Sequence, residues 1–141
     1  MITLWKMIHM LALAVGVGGG VANLIAMRQL AGAEGPARAA LAVSMRHVGQ
    51  AAALALILLW VSGAAMSSAL YNSWAALPLL FWAKIAAVVA LTAVSGTAQV
   101  LTFWGMARKS PPDPALMAKL GKTGVALALA TTVLAVLAFS A

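Results

Sequence analysis

A histidine, two lysines and an asparagine interrupt stretches that are otherwise apolar, and they are the first residues to ask about chemistry. In WKMIHMLALAVGVGGGVAN, residues 5–23, Lys6, His9 and Asn23 stand in a run long enough to cross a bilayer. At the helical repeat, His9, Gly16, Gly20 and Asn23 fall within a narrow arc of one face. Such a face is not built for lipid: ionisable groups inside a membrane face a bundle interior, and small residues let a helix or a flat ligand come close.

A neutral imidazole binds iron and titrates near neutral pH, so His9 reads as an axial ligand to a haem iron or as a proton carrier, against a structural histidine bonded to nearby backbone. Lys6, one turn earlier, either snorkels outward or pairs with a ligand carboxylate. Lys84, in FWAKIA, lies about as deep in its own span as His9 does in the first, ~8 to 10 Å below the helix start at 1.5 Å per residue. It divides between snorkelling and an inward role. Ser95 and Thr102 share the face of Lys84, with Gln99 at its flank, so two polar stripes on co-directional helices imply a shared cavity. Gly16 and Gly20 form GxxxG, which is first a packing motif; with no preceding strand, and no lysine and hydroxyl in place, it is no phosphate loop. Met7 and Met10 offer thioethers, although methionine in an apolar helix is usually filler. His47, beside Arg46, belongs to the opposite membrane surface, about 30 Å away if each helix crosses the whole core, which excludes a haem held by both histidines.

The elements that must position these groups are helices. Apolar runs place spans at roughly 3–27, 47–70, 79–106 and 116–138, which makes the chain a single-domain, all-α integral membrane four-helix bundle covering 1–141. The first connection holds Glu34, Gly35, Pro36 and Arg38, and residues 39–45 offer an early start to the second helix. A hinge, YNSWAALP, precedes span three, with Pro78 suited to a first helical turn. The third connection carries Pro111, Pro112 and Pro114, and no helix continues through Pro114. Lys119 and Lys122 snorkel from the start of span four. A loose duplication pairs LW and a lysine in span one with FW and a lysine in span three.

Composition agrees. The 141 residues are 65% hydrophobic and 8% charged, more apolar than a soluble domain of this size can hide. The net charge of +7 reflects Arg28, Arg38, Arg46, Arg108, Lys109, Lys119 and Lys122 beside span ends, which is orientation information and not a nucleic-acid patch. The second connection has no cation, so both termini are expected on the non-cytoplasmic side, with Trp5, Tyr71, Trp74, Phe81 and Trp82 as an outer aromatic belt. Gly20, Val21 and Ala22 imitate a signal-peptide cleavage site, but the apolar run is long and a retained first span is expected. No cysteine is present, which excludes thiolate catalysis, disulfides and zinc thiolates. The two acids, Glu34 and Asp113, fall in connections, so no buried carboxylate serves the coupling typical of small four-helix drug exporters.

LWKMIH opening span one, a basic connection and FWAKIA opening span three together resemble the HemJ-type protoporphyrinogen oxidases and their CopD-like relatives, four-to-five-helix bacterial membrane proteins. The resemblance covers most of the chain in topology and about a dozen positions in sequence. It implies a bacterial inner-membrane protein with haem b, His9 as its ligand and Lys84 on the opposite side of the site. It also implies removal of electrons and protons from protoporphyrinogen IX, with a membrane quinone as acceptor. The chain departs from the family after His9: GGGVANLIAMRQ stands where the relatives have a glycine-leucine segment and a proline-arginine pair, which bears on catalysis more than on haem binding. The expected cofactor-binding set is His9, Lys84, Lys6, Gly16 and Gly20, with His9 as the metal ligand and no residue assigned to catalysis. The competing class is a non-catalytic structural or assembly subunit, forming a homo-oligomer or joining a larger membrane complex through its glycine stripe.

Overall fold

The computed structural model describes residues 1–70 and 79–140, with side chains through residue 137. Four helices follow one another: α1 (Ile2–Leu30), α2 (Gly35–Leu70), α3 (Leu79–Ala107) and α4 (Pro114–Ser140). All four are long and apolar enough to cross a membrane, and they form an all-α four-helix membrane bundle. Of the expected hinge and belt, Tyr71, Asn72, Ser73, Trp74 and Pro78 lie outside the described residues.

Burial follows the logic of a lipid solvent. Large side chains such as Leu4, Leu11, Ile57, Phe103 and Val133 point outward, whereas the buried set includes Ala12 and Ala55 together with the polar Ser62, Ser67 and Thr131. Lipid tails are as apolar as leucine, so helices associate through close packing and hydrogen bonds rather than by burying apolar area. The α1/α2 contact shows this packing: a Cβ on Gly19 would meet Val48 and Ala52 at 3.4 and 3.6 Å, and one on Gly16 would meet Ala55 at 4.0 Å. Glycines set the α1/α4 contact too, with Gly20 against Val125 and Gly121 against Leu24, each 3.1 Å from the Cβ an alanine would add. Gly16 and Gly19 thus face α2 and Gly20 faces α4, while Gly18 meets no neighbour among the described residues. Packing is closest in the α1/α2 and α3/α4 hairpins, which meet through α1 and α4. The α2/α3 seam is the loosest of the four, and among the described residues the backbones of the diagonal pairs stay more than 8 Å apart at nearly every Cα.

Both short turns are explained by local chemistry. α3 ends in a Schellman motif: Ser110 donates to the Gly105 carbonyl (3.0 Å), Lys109 to that of Met106 (3.3 Å), and Lys109 itself takes the left-handed conformation with φ 51°. Pro112 folds back so closely on Gly105 that a Cβ there would stand 2.8 Å from its Cδ. Arg108 lies over the Trp104 ring, 4.9 Å from its centre. α4 begins where the prolines require: Pro114 occupies its first position, and the Asp113 carboxylate accepts a bond from the Ala115 amide at 3.1 Å. α2 begins much earlier than hydropathy places it, at Gly35 rather than at residue 47. Gly35 turns the chain with φ +53°, Pro36 tolerates the first turn, and Arg38 reaches back to the Leu30 carbonyl that ends α1 (3.4 Å).

Candidate functional site

A cavity of about 730 Å³ runs down the middle of the bundle, lined by all four helices and mostly apolar. That volume falls within the ~300–1,000 Å³ usual for small-molecule and cofactor sites. Lys6, His9, Gly16, Gly20 and Lys84, the five expected site residues, all line it, as do Asn23, Ser95 and Gln99. Thr102 does not line it and instead donates to the Ala98 carbonyl. Phe81, expected in the aromatic belt, also faces the cavity, and Trp82 is exposed.

His9 is held by a group on the neighbouring helix. Its Nδ1 lies 2.8 Å from the Oγ of Ser62, which is fully buried on α2. The one hydroxyl proton of Ser62 points back along α2, to the carbonyls of Leu58 at 2.6 Å and Leu59 at 3.3 Å. With its proton so placed, Ser62 accepts from the ring, which sets the proton of neutral His9 on Nδ1 and the lone pair on Nε2. Gly63 backs the ring, with space for a Cβ 3.7 Å from Cε1. Lys84 lines the same cavity from α3.

The other hydroxyls obey the same rule. Ser67 donates to the Gly63 carbonyl and Thr131 to that of Leu127, both at 2.8 Å, so each offers the cavity only oxygen lone pairs. At the opposite end, Asn23 donates to the Met45 carbonyl (3.2 Å) and Gln99 to that of Gly49 (2.8 Å), two carboxamides that fasten α1 and α3 to successive turns of α2. Asn23 Oδ1 is buried without a partner among the described residues. The cavity is thus chemically polarised: Lys6, His9 and Lys84 at one end, carboxamides at the other, apolar walls between.

The lysines stand apart from the remaining cations. Seven of the nine Lys and Arg residues sit at the end of the bundle that carries the two short turns; the other two, Lys6 and Lys84, line the cavity near its opposite end. His47 is exposed, and it precedes Ser62 by 15 residues on α2, about 22 Å along the axis at 1.5 Å per residue. It takes no part in the site. Among the described residues no cluster of three or more His, Cys, Asp or Glu side chains could hold a bare metal ion.

Ser62, Gly63, Ser67, Trp60 and Thr131 had not been singled out from sequence. For Ser62 a usable signal existed: it lies eight residues before the end of α2 at Leu70, and His9 lies seven after the start of α1 at Ile2, on helices that share that end of the bundle.

Fold and site together define a class, a four-helix membrane protein with one histidine and two lysines around an internal cavity. Beyond that class the comparisons add no relative: no family model matches the chain, nor does any curated protein or solved structure.

Proposed function

We propose that the cavity holds a haem b, which His9 would ligate through Nε2 and Lys6 and Lys84 would hold by its propionates. The observation that carries this reading is the His9–Ser62 bond. A metal-binding histidine characteristically donates its other ring N–H to a fixed acceptor, and that arrangement orients the ring and its lone pair. A porphyrin supplies four nitrogens of its own, so one protein ligand suffices where no multi-residue metal cluster is present. The glycines at 16 and 20 keep the α1 wall flat, and the apolar walls exclude water from a flat ring. When bound, the haem would supply one-electron chemistry.

The resemblance of LWKMIH and FWAKIA to the HemJ-type and CopD-like proteins extends the proposal to a redox protein acting on protoporphyrinogen IX, with a membrane quinone as acceptor. In that reading the chain sits in a bacterial inner membrane with both termini on the non-cytoplasmic side, the seven clustered cations marking the cytoplasmic end. The lone pairs of Ser67 and Thr131, which no haem propionate occupies, accept from the pyrrole N–H groups of the substrate.

The test is a haem titration of purified protein followed in the visible spectrum. A Soret band that disappears in His9→Ala, with the helical content retained, is the expected result; the absence of a band in wild type, or one indifferent to His9, overturns the proposal and leaves a non-catalytic membrane subunit as the reading. Restoration of growth in cells lacking their own protoporphyrinogen oxidase tests the catalytic extension separately.

A further inference from the structure

The seam between α2 and α3 is the loosest contact in the bundle, and the cavity lies directly behind it. On the α2 side Gly49, Ala53 and Ala64 line the cavity beside the larger Leu56 and Trp60. Trp60 is 37% exposed, and its indole reaches across the seam to α3.

The indole is held by one neutral hydrogen bond. Trp60 Nε1 donates to Thr92 Oγ1 at 3.0 Å, and Thr92 spends its own proton on the Val88 carbonyl at 2.7 Å, so it is a pure acceptor. Farther down the same seam, Gln99 fastens α3 to the Gly49 carbonyl. Gly49 and Trp60 stand eleven positions apart on α2, ~16 Å at 1.5 Å per residue, and between the two bonds the α3 wall of the cavity is Val94, Ser95 and Ala98.

We propose that this seam is a lateral portal, gated by Trp60, through which an apolar molecule dissolved in the bilayer enters the cavity. Gln99–Gly49 is the fixed edge and Trp60–Thr92 the latch. A ring or chain with an apolar body passes the seam without leaving lipid, whereas a charged, water-borne molecule has to come in at the end marked by Lys6. The portal goes beyond the haem reading, since it selects by route and polarity whatever the cavity holds.

The chain has no cysteine, so Ala128→Cys, on the cavity wall of α4, supplies a single internal thiol. In proteoliposomes without haem, the labelling rate is measured with a pyrene maleimide dissolved in the bilayer and with a cationic thiosulfonate added to the water. Adding Thr92→Val removes the latch bond, and the bilayer reagent should then react about threefold faster, the factor that corresponds to one lost hydrogen bond between membrane helices. The water-borne reagent should be unaffected. Trp60→Phe removes the same bond from the other side and should reproduce the result if Thr92→Val does not fold. Equal acceleration of both reagents, or of neither, overturns the portal. A failed haem titration beside polarity-selective labelling overturns only the haem reading, and the converse result only the portal.

Discussion

Replacing Ser62 with alanine separates the role of the His9–Ser62 bond in folding from its role in ligand binding. In the ligand-free protein the loss is small. Hydrogen bonds between membrane helices average ~0.6 kcal/mol, and a neutral imidazole whose Nδ1 loses its acceptor can move its proton to Nε2. Binding iron reverses that escape, because the metal claims Nε2 and forces the proton back to Nδ1, now facing a methyl group. An unsatisfied buried donor costs ~1–3 kcal/mol, and loss of such a supporting partner typically lowers metal affinity 10–100-fold. The expected outcome of Ser62→Ala is therefore a haem Kd raised 10–100-fold with unfolding free energy lowered by only about 0.6 kcal/mol. Haem titration by Soret absorbance and reversible unfolding in mixed micelles measure the two quantities. An unchanged Kd, or equal losses in affinity and stability, would refute the assignment of the Nδ1 proton.

Lys6→Gln and Lys84→Gln should each weaken haem binding by ~1 kcal/mol or more while leaving the dimethyl ester of haem unaffected, because only the free propionates are partners for the ammoniums; equal weakening of both ligands in a paired titration counts against it. Lys109→Gly should stabilise the protein by ~1 kcal/mol, since the left-handed conformation at this position is costly for any side chain, as read from thermal unfolding. Gly20→Ala sets ~1 kcal/mol of gained helix propensity against a 3.1 Å contact of its Cβ with Val125, so the same replacement should be more favourable in a Val125→Ala background, a coupling that a double-mutant cycle measures directly. Asp113→Ala should cost ~1 kcal/mol by uncapping α4, again by unfolding.

The four helices were legible because uninterrupted apolar length has one interpretation in lipid. Hydropathy missed the start of α2 by a dozen residues for a definite reason: Glu34, Gly35, Pro36 and Arg38 carry the composition of a loop, yet glycine followed by proline also suits a helix start, and Arg38 is held by a carbonyl of the preceding helix. The α1 wall was legible because His9 and Asn23 are conspicuous in an apolar run and helical spacing aligns them. The α2 wall was not. Serines in apolar helices usually bond back to their own turn, and Ser62 does so; what distinguishes it is that His9 arrives on its remaining lone pair, which depends on how two antiparallel helices register. Trp60 read as one more apolar residue because nothing in its own helix reveals that the neighbour across from it packs loosely.

The early start of α2 has a mechanical consequence. Thirty-six residues span ~54 Å at 1.5 Å per residue, nearly twice a hydrocarbon core of ~30 Å, and ordinary tilts of ~20° absorb little of the excess. The surplus lies at the end carrying Arg38 and Arg46, and between those arginines residues 39–45 contain no charge. In a thicker bilayer the uncharged turns beyond Arg46 are next in line to slide inward, and only Arg46 has to reach past them to the headgroups, whereas α1 meets Arg28 at its last turn and has no such reserve. The bundle thus carries its slack on one helix, about 10 Å of it over those seven residues.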